Sequence, residues 1–124
     1  MKLRVARHTT DLSAIEDFYC GLLKLERLGG FENHDGYEGV FIGIPGKDWH
    51  LEFTVSENVP THKSDKDDLL VFYVDSAEEM SIIAKRFVEN DIKAEIPDNP
   101  YWEMHGITYM DPDGFRVVIT TKHE

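Results

Sequence analysis

Hydrophobic and polar residues alternate along segment 49–55, which reads W-H-L-E-F-T-V. This alternation predicts a β-strand whose apolar side chains share one face, while His50, Glu52 and Thr54 share the other. A carboxylate on the inward face of a sheet costs free energy unless a metal, a ligand or an ion pair compensates its charge. The chemistry of this chain therefore depends on what faces Glu52.

The remaining pattern predicts two helices and further strands. Apolar residues recur at i, i+3, i+4, i+7 and i+8 from Ile15 and again from Met80, which is the stripe of an amphipathic helix. Gly29 and Gly30 are expected to interrupt regular structure, and an aromatic loop is expected at 99–102. Alternating or continuous apolar runs predict strands at 3–9, 37–44, 69–75, 92–96, 106–110 and 115–121.

The two helical stripes indicate an internal repeat. An offset of 65 residues carries Ile15 to Met80, and the same offset carries Arg4 to Leu69. Two modules of strand, helix and three strands imply a duplicated fold. We expect a single α+β domain over 1–124, with one module at about 1–56, a polar linker at 57–68 and a second module at 69–124. Together they would form an open, curved mixed sheet with helices on its convex side.

Composition narrows the classes of partner. The formal net charge of −11 disfavours nucleic acid and anionic membrane surfaces. The single Cys20 cannot form an internal disulfide or a thiolate zinc cluster. No spacing supports a Ser-His-Asp or Cys-His catalytic set, and no glycine-rich phosphate loop is present. Because no apolar run resembles a membrane span or a signal peptide, a cytoplasmic location is expected.

Several motifs resemble those of the vicinal oxygen chelate superfamily, which includes glyoxalase I, bleomycin-resistance proteins and extradiol dioxygenases. They are Asp11-Leu12, Phe18-Tyr19 and Gly21-Leu22-Leu23 in the first module, and Val71-Phe72-Tyr73-Val74-Asp75 and Asp111-Pro112-Asp113-Gly114-Phe115 in the second. The resemblance implies two βαβββ modules around a cleft and a homodimer. It also implies one divalent metal ion held by four positions, which would bind vicinal oxygens of a substrate.

The ligand positions implied by this resemblance are mostly filled by residues that cannot bind a metal. They fall at Arg4, Glu52, Leu69 and Val118. Only Glu52 offers a donor suited to a divalent ion. We therefore expect no cofactor and no inherited metal site.

Strand alternation predicts which side chains share the side of Glu52. They are Arg4, Ala6, His8, His50, Thr54, Val71, Tyr73, Arg116 and Thr120. The favoured interpretation is a metal-free site for a small organic molecule that is anionic or aromatic. Arg4 or Arg116 would bind a carboxylate or phosphate. Tyr73, Trp49 and Trp102 would supply stacking surface, and His8 or His50 would donate hydrogen bonds or act as a base.

Two alternatives remain open at this stage. His8, His50 and Glu52 could form a rebuilt site for zinc, iron, nickel or manganese, and so support a lyase, isomerase or dioxygenase. Glu52 could instead only pair with Arg4 or Arg116, because a buried ion pair is weak support for function. We favour a small-molecule-binding protein or a metal-independent enzyme, with Glu52 and His50 as the candidate catalytic residues.

Overall fold

A computed structural model describes residues 1–122, and the chain divides into two compact units, Met1–His62 and a second unit that begins at Lys63. The first unit contains β1 (Leu3–His8), α1 (Leu12–Glu16), a π-helical segment (Asp17–Leu22), β2 (Glu26–His34), β3 (Tyr37–Gly43) and β4 (Trp49–Val55). The second contains β5 (Leu69–Tyr73), α2 (Ala77–Glu89), α3 (Pro100–His105), β6 (Ile107–Met110) and β7 (Arg116–Thr120). No helix in this described part is long and apolar enough to cross a membrane.

The first unit is a four-stranded sheet in the order β1-β4-β3-β2, with helix α1 on one face. Strand β1 runs parallel to β4, and the other pairs are antiparallel. Asp11 caps α1, because its side chain accepts a hydrogen bond from the backbone amide of Ala14 at 3.0 Å. The core contains Tyr19, whose ring lies 5.0 Å from that of Phe53 on β4. The apolar residues of β4 therefore point toward the helix, and its polar residues point away.

The second unit repeats this plan with a three-stranded sheet in the order β5-β7-β6. Ser76 caps α2 by accepting a hydrogen bond from the amide of Glu79 at 3.1 Å. On the apolar face, Phe87 of α2 stacks on Tyr109 of β6, with ring centroids 3.7 Å apart. The sheet is thus covered by helix α2 on the face that carries Tyr109.

The D-P-D-G turn before β7 is closed by one side chain. The Oδ1 atom of Asp111 accepts hydrogen bonds from the amides of Asp113 and Phe115 at 2.9 and 3.0 Å. Gly114 takes a φ of 86°, a left-handed conformation that glycine adopts without a steric penalty. These residue types are therefore needed for the turn itself, which explains why the motif is recognisable in the sequence.

Strand register supports the duplication. In the first unit Arg4 lies opposite His50, and in the second unit its repeat equivalent Leu69 lies opposite Arg116. The parallel pair that opens each module is therefore built in the same way. The mixed sheets and few helices agree with the predicted α+β class.

Strand β2 forms where Gly29 and Gly30 were expected to interrupt the structure. A Cβ atom on Gly30 would lie 2.8 Å from the carbonyl oxygen of Gly39 on β3. The glycine therefore permits close approach of two strands rather than ending one.

Two predictions in the second unit were also wrong. Segment 92–96 makes only an isolated bridge between Glu95 and Thr108, because the Ile96 carbonyl instead accepts a hydrogen bond from Arg116. The expected loop at 99–102 begins helix α3, which Asn99 caps by accepting from the amide of Tyr101 at 3.0 Å. Pro100 at the first helical position favours this start.

The glycines of the first unit allow a paired test of packing. We expect Gly30→Ala to lower the free energy of unfolding by about 1–3 kcal/mol, because the new methyl group would meet the Gly39 carbonyl oxygen, which is fixed in the sheet, as well as the flexible end of the Arg27 side chain. Gly21→Ala is the control, since a Cβ atom there meets nothing within 4 Å and should change stability by only about 0.5 kcal/mol. Urea denaturation of both variants measures this difference, and equal effects would contradict it.

Candidate functional site

The polar face of the first sheet brings together four side chains from three strands. Arg4 on β1 lies directly opposite His50 on β4, and Phe41 on β3 lies opposite Glu52 on β4. Because all four project from the face opposite α1, they are neighbours across the sheet. We call this group the Arg4 cluster: Arg4, Phe41, His50 and Glu52.

A hydrogen bond between Arg4 and His50 lies at the centre of the cluster. The Nε–H of Arg4 donates to Nε2 of His50 at 3.0 Å. The Nε2 atom must therefore be unprotonated, which places the imidazole proton on Nδ1. The guanidinium carbon also lies 4.9 Å from the ring centroid of Phe41, within the range of a cation–π contact. The guanidinium is thus held on two sides by neutral groups.

Glu52 is close to the guanidinium but does not form a hydrogen bond with it. The Oε1 atom of Glu52 lies 3.9 Å from Nη1 of Arg4, which is longer than a hydrogen bond. The Glu52 side chain is 14% exposed, whereas that of Arg4 is 52% exposed. The terminal nitrogens of Arg4 can therefore contact a molecule that arrives from solvent.

The environment of His50 favours its neutral form. Burial lowers the pKa of His50, and the positive charges of Arg4 and Lys2 lower it further, while Glu52 opposes them. This direction agrees with the hydrogen bond, because only an unprotonated Nε2 can accept a hydrogen bond from Arg4. His50 is thus a neutral acceptor at neutral pH.

The structure places His8 on the same face but away from the cluster. His8 lies opposite Thr54, four positions along β1 from Arg4, so it is roughly 13 Å away along the strand. Its Nε2 atom lies 3.1 Å from Oγ of Ser56. Among residues 1–122 no group of three or more His, Cys, Asp or Glu side chains is placed to hold a metal ion. His8, His50 and Glu52 are therefore not brought together as one ligand set.

Strand alternation does not place Trp49 with the residues of the Arg4 cluster. It immediately precedes His50 on β4, so strand alternation places it on the face that carries Leu51 and Phe53. The aromatic group on the polar face is instead Phe41, together with Phe31 of β2, whose ring lies 5.9 Å from it. Neither Phe31 nor Phe41 was predicted from the sequence as a site residue. The available signal was the alternation of Phe41 with glycines, which leaves that ring uncovered.

Arg116 in the second unit is buried and contacts neighbouring groups of that unit. Its side chain is 6% exposed, its Nη1 donates to the Ile96 carbonyl at 3.0 Å, and its Nη2 lies 3.6 Å from Glu95. The partner of Arg116 is thus Glu95, while Arg4 is the partner of Glu52. Arg116 fastens segment 95–96 and does not present its guanidinium to solvent.

The two predicted aromatic residues of the second unit lie at separate elements. Tyr73 ends β5 and is about half exposed. Trp102 lies in α3, edge-to-face with Tyr101 at a centroid distance of 4.8 Å.

A cavity of about 240 Å³ lies at the other end of β4, near the β2–β3 hairpin. It is lined by Asn33, Gly36, Tyr37, Glu38, Val55, Ser56 and Glu57. Its two carboxylates repel an anion, whereas the Arg4 cluster carries an accessible cation. The charge of the cluster therefore makes it the better candidate for an anionic ligand, despite the cavity elsewhere.

Comparison with known proteins gives matches along both units. Residues 3–54 match the YycE-like N-terminal domain and residues 67–121 match the YycE-like C-terminal domain. YycE from Bacillus subtilis (strain 168) is 42% identical over 118 residues, which cover 94% of this chain and 85% of that protein. A crystal structure of YycE, whose function is unknown, has a TM-score of 0.89 at 40% identity and covers 99% of this chain and 90% of that one.

More distant structures share the fold. Glyoxalase I from Leishmania major has a TM-score of 0.75 at 20% identity, covering 97% of this chain and 85% of the enzyme. The fosfomycin resistance protein FosX from Mesorhizobium loti has a TM-score of 0.72 at 14% identity, covering 99% and 92%. The resemblance to the vicinal oxygen chelate superfamily is confirmed, and so is the predicted fold class.

The neutral state of His50 can be measured directly. We expect its imidazole NMR resonances to titrate with a midpoint below the ordinary value of about 6.5, because burial and Arg4 disfavour its charged form. Arg4→Ala should raise that midpoint, since it removes a positive charge and admits water. Arg27→Ala, which removes an arginine of similar exposure paired with Glu16, should leave it unchanged.

The same shift predicts a pH dependence of stability. A depressed pKa in the folded state means that the unfolded chain binds the proton more readily. The stabilisation from neutral His50 is therefore present above about pH 6.5 and is lost as the pH falls through the folded value. In urea titrations, the free energy of unfolding of wild type should therefore fall relative to that of His50→Gln as the pH is lowered through this range. A midpoint at or above 6.5 would contradict both expectations.

Proposed function

The chain belongs to the YycE family, and on that premise we propose that it is a small-molecule-binding protein that holds an organic anion at the Arg4 cluster. The observation that carries the proposal is the half-exposed Arg4 guanidinium, fixed by His50 and resting on Phe41. A fixed guanidinium loses little freedom when it binds a carboxylate or phosphonate.

The surroundings of Arg4 suggest the class of ligand. The adjacent rings of Phe31 and Phe41 offer apolar surface next to the cation. A ligand with an anionic group and an aromatic or aliphatic part would use both. FosX from Listeria monocytogenes, a more distant structural neighbour, has been crystallised with Mn(II) and a dihydroxypropylphosphonic acid. That ligand is also a small organic anion.

The residues present fit binding without a resident metal ion better than metal-dependent catalysis. Of the four positions implied by the superfamily resemblance, Arg4, Leu69 and Val118 lack a donor for a divalent ion, and Val118 is fully buried. The alternative ligand set of His8, His50 and Glu52 is spread along the strands. The donor set therefore favours the metal-independent forms of the proposal.

A metal-independent enzyme is the second form of the same proposal. The Nε2 atom of His50 already accepts a hydrogen bond from Arg4, which leaves Glu52 as the candidate general base. Its carboxylate is largely buried and makes only a long ion pair with Arg4. Turnover of a bound ligand that is lost in Glu52→Gln would favour this form over simple sequestration. A single domain formed by both units, a homodimer and a cytoplasmic location remain predictions.

Removal of Arg4 tests the proposed anion site. We expect wild-type protein to bind benzoate or phenylphosphonate more tightly than neutral benzamide. Arg4→Ala should weaken the anions by at least about tenfold, because hydrogen bonds to a charged group are lost. Arg27→Ala is the matched control, since its side chain is 55% exposed on the same sheet. Chemical-shift titrations measure the affinities, and equal losses in the two variants would rule out this site.

Substitution of Glu52 is expected to change the affinity for an anion in the direction opposite to substitution of Arg4. Its carboxylate repels an anion bound to Arg4, so Glu52→Gln should tighten benzoate binding by about threefold at low salt. Glu26→Gln, an exposed change at the start of β2, should have little effect. Weaker benzoate binding in Glu52→Gln would contradict repulsion between the carboxylate and the bound anion. Unchanged affinity would indicate that Glu52 has only a structural role.

A further inference from the structure

The Arg4 cluster contains two groups that bind divalent metals in other proteins, with a guanidinium beside both. Nε of Arg4 is 3.0 Å from Nε2 of His50, and Nη1 is 3.9 Å from Oε1 of Glu52. A neutral imidazole and a carboxylate are common ligands of zinc and nickel. The two are on one strand face, separated by a single residue.

The hydrogen bond uses the lone pair that a metal would need. A metal ion binds imidazole nitrogen at about 2.0–2.1 Å, and Nε–H of Arg4 already points at Nε2 of His50. A divalent ion on that lone pair would therefore have to displace the guanidinium. It would also meet the positive charges of Arg4 and Lys2, both of which act on His50.

We propose that Arg4 is the resident cation of this face and excludes divalent metal ions from His50 and Glu52. The guanidinium supplies the positive charge, blocks the imidazole lone pair and approaches the carboxylate. This inference concerns which cation the face selects. It does not depend on whether an organic anion binds there.

The register makes the inference testable by gain of function. Residue 4 lies directly opposite His50, and Glu52 is the next residue of β4 on the same face. Arg4→His would therefore add a third metal ligand beside two existing ones and remove the blocking charge. Arg4→Ala would remove only the block, and Arg4→Lys would keep the positive charge.

The experiment is a titration of tag-free protein with Ni²⁺, followed by calorimetry and by elemental analysis after dialysis. Arg4→His should bind one Ni²⁺ per chain at least about tenfold more tightly than wild type. Arg4→Ala should show a smaller gain, and Arg4→Lys and Arg27→Ala should show none. Adding Glu52→Ala or His50→Ala to Arg4→His should abolish the gain. Paramagnetic broadening centred on His50 would locate the ion.

Two results would overturn the inference. Ni²⁺ binding at His50 of wild type as tight as that of Arg4→His would show that Arg4 excludes no metal ion. Folded Arg4→His and Arg4→Ala, as judged by circular dichroism, that both gain no affinity for Ni²⁺ would show that a feature other than Arg4 prevents binding. If Arg4→His does not fold, the affinity of Arg4→Ala for Ni²⁺ is the test: a gain over wild type supports the proposal, and no gain contradicts it. Benzoate binding by wild type is measured without metal, so failure of the anion site is distinguishable.

Discussion

The hydrogen bond from Arg4 to His50 depends on the parallel pairing of β1 with β4. That pairing places two residues 46 positions apart directly opposite each other on the face away from the helix. The helix secures the arrangement indirectly, because the apolar side chains of β4 are buried against it and a shift of one residue would turn them outward. The core of the first unit therefore determines that a guanidinium and an imidazole meet.

The contact between Arg4 and His50 determines the chemistry of the polar face of the first sheet. A buried imidazole beside a guanidinium stays neutral, and a neutral imidazole can accept a hydrogen bond from Arg4, so the pKa shift and the hydrogen bond reinforce each other. The consequence is a fixed cation whose outer nitrogens remain accessible. A divalent metal ion bound to Nε2 of His50 would need the lone pair that accepts the hydrogen bond from Arg4. The metal ion and the guanidinium therefore cannot occupy this position together.

Sequence alone could assign faces within a strand but not partners between strands. The alternation in 49–55 correctly separated His50 and Glu52 from the apolar face, and the repeat indicated the duplicated α+β plan. Alternation says nothing about register, so Arg4 and Arg116 looked equivalent as partners of Glu52. Phe31 was missed because β2 was not expected, and β2 was not expected because close strand approach at Gly30 has no signature beyond a glycine.

The two units show how one framework supports different surfaces. In the first, the parallel strands β1 and β4 place Arg4 opposite His50, and Arg4 is half exposed. In the second, the equivalent pair is Leu69 with Arg116, and Arg116 is buried on Glu95 and the Ile96 carbonyl. A buried arginine that left Glu95 would lose an ion pair and a hydrogen bond, which is costly. The same residue type is therefore structural in one unit and available for binding in the other, and burial makes the difference.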